Sequence, residues 1–120
     1  MKRIEIVTLG FILCFGSAGV TLAADTPQKS VTGTLIDTYC STVMGARGAS
    51  HKQCAIGCAK KGIPVGLEEK GTGKVFVLLP PKNAQPLPDD VINRMEDEVT
   101  VTGHEYSKGE ATFLTVDSIK

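Results

Sequence analysis

This sequence is poor in aromatic residues and has no excess of charge of either sign. It contains no tryptophan, only 5% of its 120 residues are aromatic, and its 13 basic and 13 acidic residues cancel to a formal net charge of zero. Proteins that bind single-stranded nucleic acid generally need aromatic stacking platforms in a basic groove. The composition therefore predicts no nucleic-acid partner.

The familiar signatures of enzymes and of haem attachment are missing as well. The sequence shows no Ser-His-Asp set, no phosphate-binding loop and no carboxylate pair that would commit it to an enzymatic mechanism. The Cys-x2-Cys-His motif of haem attachment is absent, and so is the Cys-x2-Cys motif of common thiol oxidoreductases. The sequence therefore favours a binding protein over an enzyme.

The N-terminal segment has the pattern of a secretory signal peptide. Lys2 and Arg3 form a positive region, residues 6–20 form an apolar core, and residues 21–23 place small side chains around a cleavage site. A membrane anchor is the alternative, but the apolar run is short for a span and contains several Gly, Ser and Thr residues. We expect cleavage to remove residues 1–23.

Export would place the mature chain in the periplasm or outside the cell, with no attachment to the membrane after cleavage. Disulfides persist in these oxidising compartments. Of the four cysteines, Cys14 leaves with the signal peptide, and the remaining three cannot all pair within one chain. One thiol must be free, bound to a metal or joined to another chain. The sequence leaves room for a protein partner without identifying it.

After a disordered leader at residues 24–29, the chain is predicted to form one mainly β domain over residues 30–120. Segments rich in β-branched residues, bounded by glycine and proline turns, predict five strands. A helix that carries cysteines lies between the first and second strands, and a short helix near Val91 lies between the third and fourth. The predicted strands are residues 30–39, 63–68, 74–79, 98–106 and 111–119.

This element order is that of an OB-fold, a five-stranded Greek-key barrel, with the cysteine-bearing helix as an insertion. The segments 31–35 (Val-Thr-Gly-Thr-Leu) and 99–103 (Val-Thr-Val-Thr-Gly) resemble the first and fourth strands of small OB-fold domains in exported bacterial proteins. A Cys…His-x2-Cys-x3-Cys pattern and the segment 62–66 (Gly-Ile-Pro-Val-Gly) resemble small exported bacterial proteins of no established activity. The resemblance covers residues 30–119 and implies an OB-fold-like barrel, but no function.

The predicted core follows from the alternation of side chains along the strands. The third strand, residues 74–79, is apolar with little alternation, which predicts burial on both faces. Val91, Ile92 and Met95 form an apolar stripe on the short helix. The strand residues expected to be largely buried are Val31, Leu35, Val75, Val77, Val99, Val101, Leu114 and Val116.

The cysteine-bearing helix has a predicted start and a predicted end. Ser50 followed three residues later by Gln53 is a capping box, which predicts that the helix starts near His51. Gly62 can adopt the left-handed conformation that ends a helix, and Pro64 prevents continuation. Between these limits lie two cysteines and a histidine.

These three side chains are predicted to converge with a fourth. Cys54 and Cys58 are spaced i, i+4 and so share one helical face, which His51 joins from three residues before Cys54. Cys40 lies at the end of the preceding strand, and the glycine-containing connection at residues 44–48 lets it fold back. We expect the three sulfur atoms to come within a few ångströms of one another, with His51 at the edge.

Three functions fit such a cluster. Cys40, His51, Cys54 and Cys58 have the ligand composition of a tetrahedral zinc site, and their thiolates also suit Cu(I). In an exported protein, Cys40 could instead form a disulfide with Cys54 or Cys58, leaving an OB-fold binding module without metal. Thiol–disulfide exchange is the third alternative, because the N-terminal end of a helix can lower the pKa of Cys54. The sequence alone does not decide among them.

Overall fold

The computed structural model describes residues 26–120, which form a mainly β domain. The predicted signal peptide lies outside these described residues. Within them, no helix is long and apolar enough to cross a membrane. The principal elements are β1 (Gln28–Asp37), α1 (Lys52–Lys60), β2 (Val65–Glu69), β3 (Val75–Leu79), α2 (Asp89–Ile92), β4 (Glu98–Lys108), β5 (Ala111–Thr115) and β6 (Ser118–Ile119).

Five of the strands close into a barrel, which confirms the predicted fold class. β1 pairs antiparallel with both β2 and β4, β2 with β3, and β4 with β5, while β3 and β5 run parallel. This is the strand order of an OB-fold, with α1 inserted between β1 and β2 and α2 following β3. The short β6 extends the sheet beside β4.

A glycine lies where β1 changes partner. Gly33 is opposite Val99 of β4 and also opposite Glu69 of β2, so it belongs to both pairings. A Cβ atom at this position would overlap the carbonyl oxygen of Glu68. Because only glycine permits this close approach of two backbones, Gly33 lets one strand close both sides of the barrel.

Six of the eight strand residues predicted for the core are buried, and two are not. Val31, Leu35, Val99, Val101, Leu114 and Val116 are at most 4% exposed. The prediction is wrong for Val75, which is 39% exposed, and for Val77, which is only half-buried. Their neighbours Phe76 and Leu78 fill the core instead, because side chains of a strand alternate between its two faces. The expected burial of β3 on both faces is therefore also wrong.

The ends of the strands differ from the predicted limits. β1 begins at Gln28, inside the segment expected to be a leader, and ends at Asp37. Cys40 consequently lies beyond the strand, in a π-helical turn at Cys40–Met44. The predicted fifth strand is divided into β5 and β6. The expected burial of Val91, Ile92 and Met95 is confirmed, but the short helix ends at Ile92, so Met95 lies in the turn that follows it.

The inserted helix begins differently from the prediction but ends as predicted. A short 3-10 turn at Ala49–His51 leads into α1. In this part of the described chain, neither the 3-10 turn nor α1 has a side-chain hydrogen bond that caps its N-terminus. The predicted capping box therefore does not form. At the other end Gly62 has φ of +95°. The N–H of Ile63 donates to the carbonyl of Cys58 over 3.1 Å, which completes a Schellman motif. Ala55 anchors the helix, being fully buried against the barrel.

Candidate metal centre

The turn after β1 holds Cys40 in a defined position. Asp37 Oδ1 accepts hydrogen bonds from the backbone N–H groups of Tyr39 (2.9 Å) and Cys40 (3.1 Å), and so caps the turn. Gly45 ends it in the left-handed conformation, with φ of +67°. The Cys40 side chain is 7% exposed. Single π-helical turns often occur at functional sites, and this one brings a thiol beneath α1.

Polar contacts fasten the segment before α1 to the barrel. Arg47 forms an ion pair of 2.6 Å with Glu68, and the N–H of Gly48 donates to the Glu96 carboxylate over 2.8 Å. Lys52, the first residue of α1, forms an ion pair of 2.6 Å with Asp97. Exposed pairs of this kind each contribute little to stability. Together they orient the start of α1, which carries the histidine and the first helical cysteine.

Cys40, His51 and Cys54 meet in one group. One ligand atom from each lies within 4.8 Å of the other two. His51 Nε2 is buried and has no hydrogen-bond partner within residues 26–120. Cys54 is exposed, so the group is closed on the side of Cys40 and open to solvent on the side of Cys54. Two thiols and an imidazole in this arrangement are a ligand set for zinc or copper.

Cys58 belongs to a second group, which contains a residue that the sequence analysis missed. The donor atoms of Asp37, Cys40 and Cys58 also lie within 4.8 Å of one another. The four predicted ligands therefore form no single set of four, and Cys40 is the member common to both groups. Asp37 is 1% exposed, and its Oδ2 has no hydrogen-bond partner in the described part of the chain. An acidic residue at the end of an apolar strand, three positions before a cysteine, is the signal that could have revealed it.

The carboxylate and the two nearby thiols influence each other's protonation. Burial acts to raise the pKa of Asp37, but the N–H groups of Cys40 and Tyr39 and the adjacent thiols outweigh it, so the pKa is lowered. The Asp37 carboxylate, followed by burial, raises the pKa of Cys58 to about 12. Burial, followed by Asp37, also raises the pKa of Cys40. Both thiols are therefore protonated near neutral pH, and a metal ion would displace their protons on binding.

All three cysteines of the described chain are free thiols, and no disulfide joins them. A separate open groove of about 410 Å³ lies between the end of α1 and the segment that precedes α2. Its apolar lining includes Ile63, Leu78 and Leu87, and none of the cluster residues lines it. The cysteine cluster is thus distinct from this groove.

Fold and site together define a small β-barrel protein with a cysteine–histidine cluster at the end of its first strand. Comparisons of the chain with protein-family models, with curated proteins and with solved structures found no match. What the cluster can do therefore follows from its own geometry and donor chemistry.

Proposed function

We propose that this protein is exported and binds a transition-metal ion, Zn(II) or Cu(I), at the cluster formed by Cys40, His51 and Cys54, for storage or delivery. The observation that carries the proposal is the convergence of three donor atoms within 4.8 Å from the π-helical turn, the 3-10 turn and α1. Cys58, the fourth ligand predicted from the sequence, lies in the adjoining group and shares Cys40 with this one.

The histidine gives independent support for ligation. Its Nε2 atom is buried and unpaired among the described residues. A buried polar atom left without a partner costs about 1–3 kcal/mol, and coordination to a metal ion removes that cost. Nε2 is also one of the two ring atoms through which histidine binds metals. A solvated histidine at the start of a helix would not need such burial.

The exposure of Cys54 favours exchange over a purely structural role. Structural zinc sites are closed by four protein ligands, whereas sites that react or transfer keep an open position. Here one ligand faces solvent and the other two are more buried. An incoming ligand from a partner protein can approach on that side, which is what metal delivery requires.

Export is the second part of the proposal and rests on the N-terminal sequence. Lys2 and Arg3, the apolar run and the small residues before Ala24 form the three parts of a signal peptide. The resemblance to small exported bacterial proteins with the same cysteine pattern also supports export, to the periplasm or the medium. Mass spectrometry of the exported protein should find its N-terminus at Ala24 or Asp25, and an intact Met1 would overturn the proposal of export.

Metal uptake by the reduced protein tests the binding proposal. After anaerobic purification, the protein should retain Zn(II) or Cu(I) against a competing chelator. His51→Ala should weaken binding, and Cys40→Ser and Cys54→Ser should each weaken it more, because thiolates are the stronger ligands. His104→Ala is the matched control, since the other histidine is bonded to Thr26 and Asp117 outside the cluster and should bind metal unchanged. Failure to take up either metal would refute the proposal.

A disulfide-stapled binding module is the alternative that the same geometry favours. The Cys40 sulfur lies within 4.8 Å of both the Cys54 and the Cys58 sulfur, so either pair can join after small side-chain rotations. A loop of about 15 residues closed in this way stabilises a fold by roughly 3 kcal/mol in the chain-entropy model. Counting thiols in freshly exported protein separates the two cases: one reactive thiol indicates the disulfide, and three after metal removal indicate the metal site.

A further inference from the structure

We propose that Asp37, Cys40 and Cys58 form a second metal position, and that the Cys40 thiolate bridges it to the first, so that the cluster holds a pair of divalent ions such as Zn(II). This inference rests on the proposed function, because it adds a second ion to the same cluster. It assigns a ligand role to Asp37.

The geometry of the second group is comparable to that of the first. Its three donor atoms lie within the same 4.8 Å limit, and the buried Cys40 is a member of both groups. A thiolate sulfur has more than one free electron pair and can bind two ions at once. Because Cys40 is the one donor that both groups contain, it is the natural bridge.

The two oxygens of Asp37 have different environments. Oδ1 accepts hydrogen bonds from the backbone N–H groups of Tyr39 and Cys40. These two hydrogen bonds are enough for Asp37 to cap the turn, and they do not involve Oδ2. Oδ2 is buried and has no partner within residues 26–120, although the residue is only 1% exposed. The capping role therefore leaves one carboxylate oxygen free to bind a metal ion next to two thiols.

The buried Asp37 carboxylate accepts two backbone hydrogen bonds but has no cation beside it among the described residues. Burying a carboxylate is costly unless a cation or several hydrogen bonds compensate it. No lysine, arginine or histidine in the described chain forms an ion pair with Asp37. A metal ion at Oδ2 would add a cation to the hydrogen bonds that Oδ1 already accepts.

The total charge of the ligands favours two divalent ions over one. When all the donors ligate, Cys40, Cys54 and Cys58 contribute three negative charges and Asp37 contributes a fourth, while His51 is neutral. Two divalent ions cancel this charge. A single divalent ion in the first group would balance the Cys40 and Cys54 thiolates, leaving Cys58 protonated and the buried Asp37 carboxylate without a cation. Two Cu(I) ions bound by all the donors would leave two negative charges uncompensated.

Metal stoichiometry of the reduced protein tests the second position. Titration with Zn(II) and with Cd(II), in the presence of a competing chelator, should give two ions per chain. Asp37→Asn should reduce this to one, because asparagine keeps the Oδ1 acceptor that caps the turn but replaces the ligand oxygen by an amide group. Asp90→Asn, an exposed aspartate in α2, is the matched control and should still bind two.

Two further measurements keep the proposal falsifiable if Asp37→Asn fails to fold. Cys58→Ser leaves all three residues of the first group in place and should also bind one ion. In the wild-type protein loaded with cadmium, NMR should show two cadmium resonances that are coupled to each other through the Cys40 sulfur, which no structural role of Asp37 would produce.

The possible results separate this inference from the proposed function. One ion in the wild type, or two ions that persist in both Asp37→Asn and Cys58→Ser, would overturn the second position while leaving the first intact. Uptake of no ion at all would overturn both. Two ions in the wild type that fall to one in each variant would establish the pair.

Discussion

Replacing Gly33 by alanine tests how the barrel closes. The added methyl group would lie 2.7 Å from the carbonyl carbon of Glu68 and 3.0 Å from Cα of Glu69, whereas ordinary contacts begin at 3.4 Å. These are backbone atoms of β2, so no side-chain rotation can relieve the overlap and the strands must separate. Forcing an extra carbon into a tightly packed site typically costs about 1–3 kcal/mol.

Two features of the structure place Gly33→Ala at the upper end of that range. Gly33 is opposite residues of both β2 and β4, so a displacement weakens two pairings at once. The adjacent Thr32 carbonyl accepts a hydrogen bond of 2.9 Å from the N–H of Lys70, which the same shift would stretch. In urea unfolding of the reduced protein followed by circular dichroism, the midpoint should fall by roughly 1–3 M, given slopes of about 1–3 kcal/mol per molar for small proteins.

The matched control is a glycine that nothing crowds. Gly57 lies within α1, and a Cβ atom there would meet no atom within 4 Å apart from its chain neighbours and the backbone of its own helix. Gly57→Ala should therefore stabilise the protein by roughly 0.5–1 kcal/mol, through helix propensity alone. A loss of stability in Gly33→Ala together with a gain in Gly57→Ala would support the close approach of β1 and β2 that closes the barrel. If Gly33→Ala is neutral or stabilising, β1 and β2 do not approach as the structure shows.

Two further predictions concern the core and acid stability. Phe76→Ala should lower the free energy of unfolding by about 3–5 kcal/mol, whereas Val75→Ala should cost about 1 kcal/mol or less, and similar losses would refute the assigned face of β3. Lys29, followed by Lys74, holds the pKa of Glu105 below its usual value. The stabilising contribution of Glu105 is therefore present above about pH 4.3 and is lost as the pH falls through the lowered pKa. Glu105→Gln should thus be less stable than wild type near neutrality, with the difference vanishing in strong acid; a difference independent of pH in chemical unfolding would contradict this.

Part of the fold is encoded in local sequence, and those predictions are confirmed. The order of five strands and two helices follows from segment length, β-branched composition and turn residues, none of which depends on distant contacts. The end of α1 is equally local, because Gly62 takes a positive φ and Ile63 donates back to Cys58 within a few residues. The meeting of Cys40 with the helix was also predictable, because the glycine-containing connection at residues 44–48 lets the chain fold back from Cys40 to the helix.

Which side chains of β3 point into the core was decided by the pairing of β3 with its neighbouring strand. A run of apolar residues has no alternation of its own, so nothing local distinguishes Val75 and Val77 from Phe76 and Leu78. The pairing with β2 sets the choice, because Phe76 lies opposite the buried Leu67. A shift of one residue in that pairing would reverse which side chains point inward.

The tertiary structure also decided which candidate ligands belong to each of the two groups. The sequence by itself determined that Cys40, His51, Cys54 and Cys58 are available and that the last three share one side of a helix. Only the packing of α1 against the end of β1 decided that Cys58 approaches Asp37 and Cys40, while His51 and Cys54 approach Cys40. Helical spacing determines which side chains of α1 point the same way, but it does not determine how α1 is rotated against β1. Whether Asp37 lies next to Cys58 therefore depends on how α1 and β1 pack together.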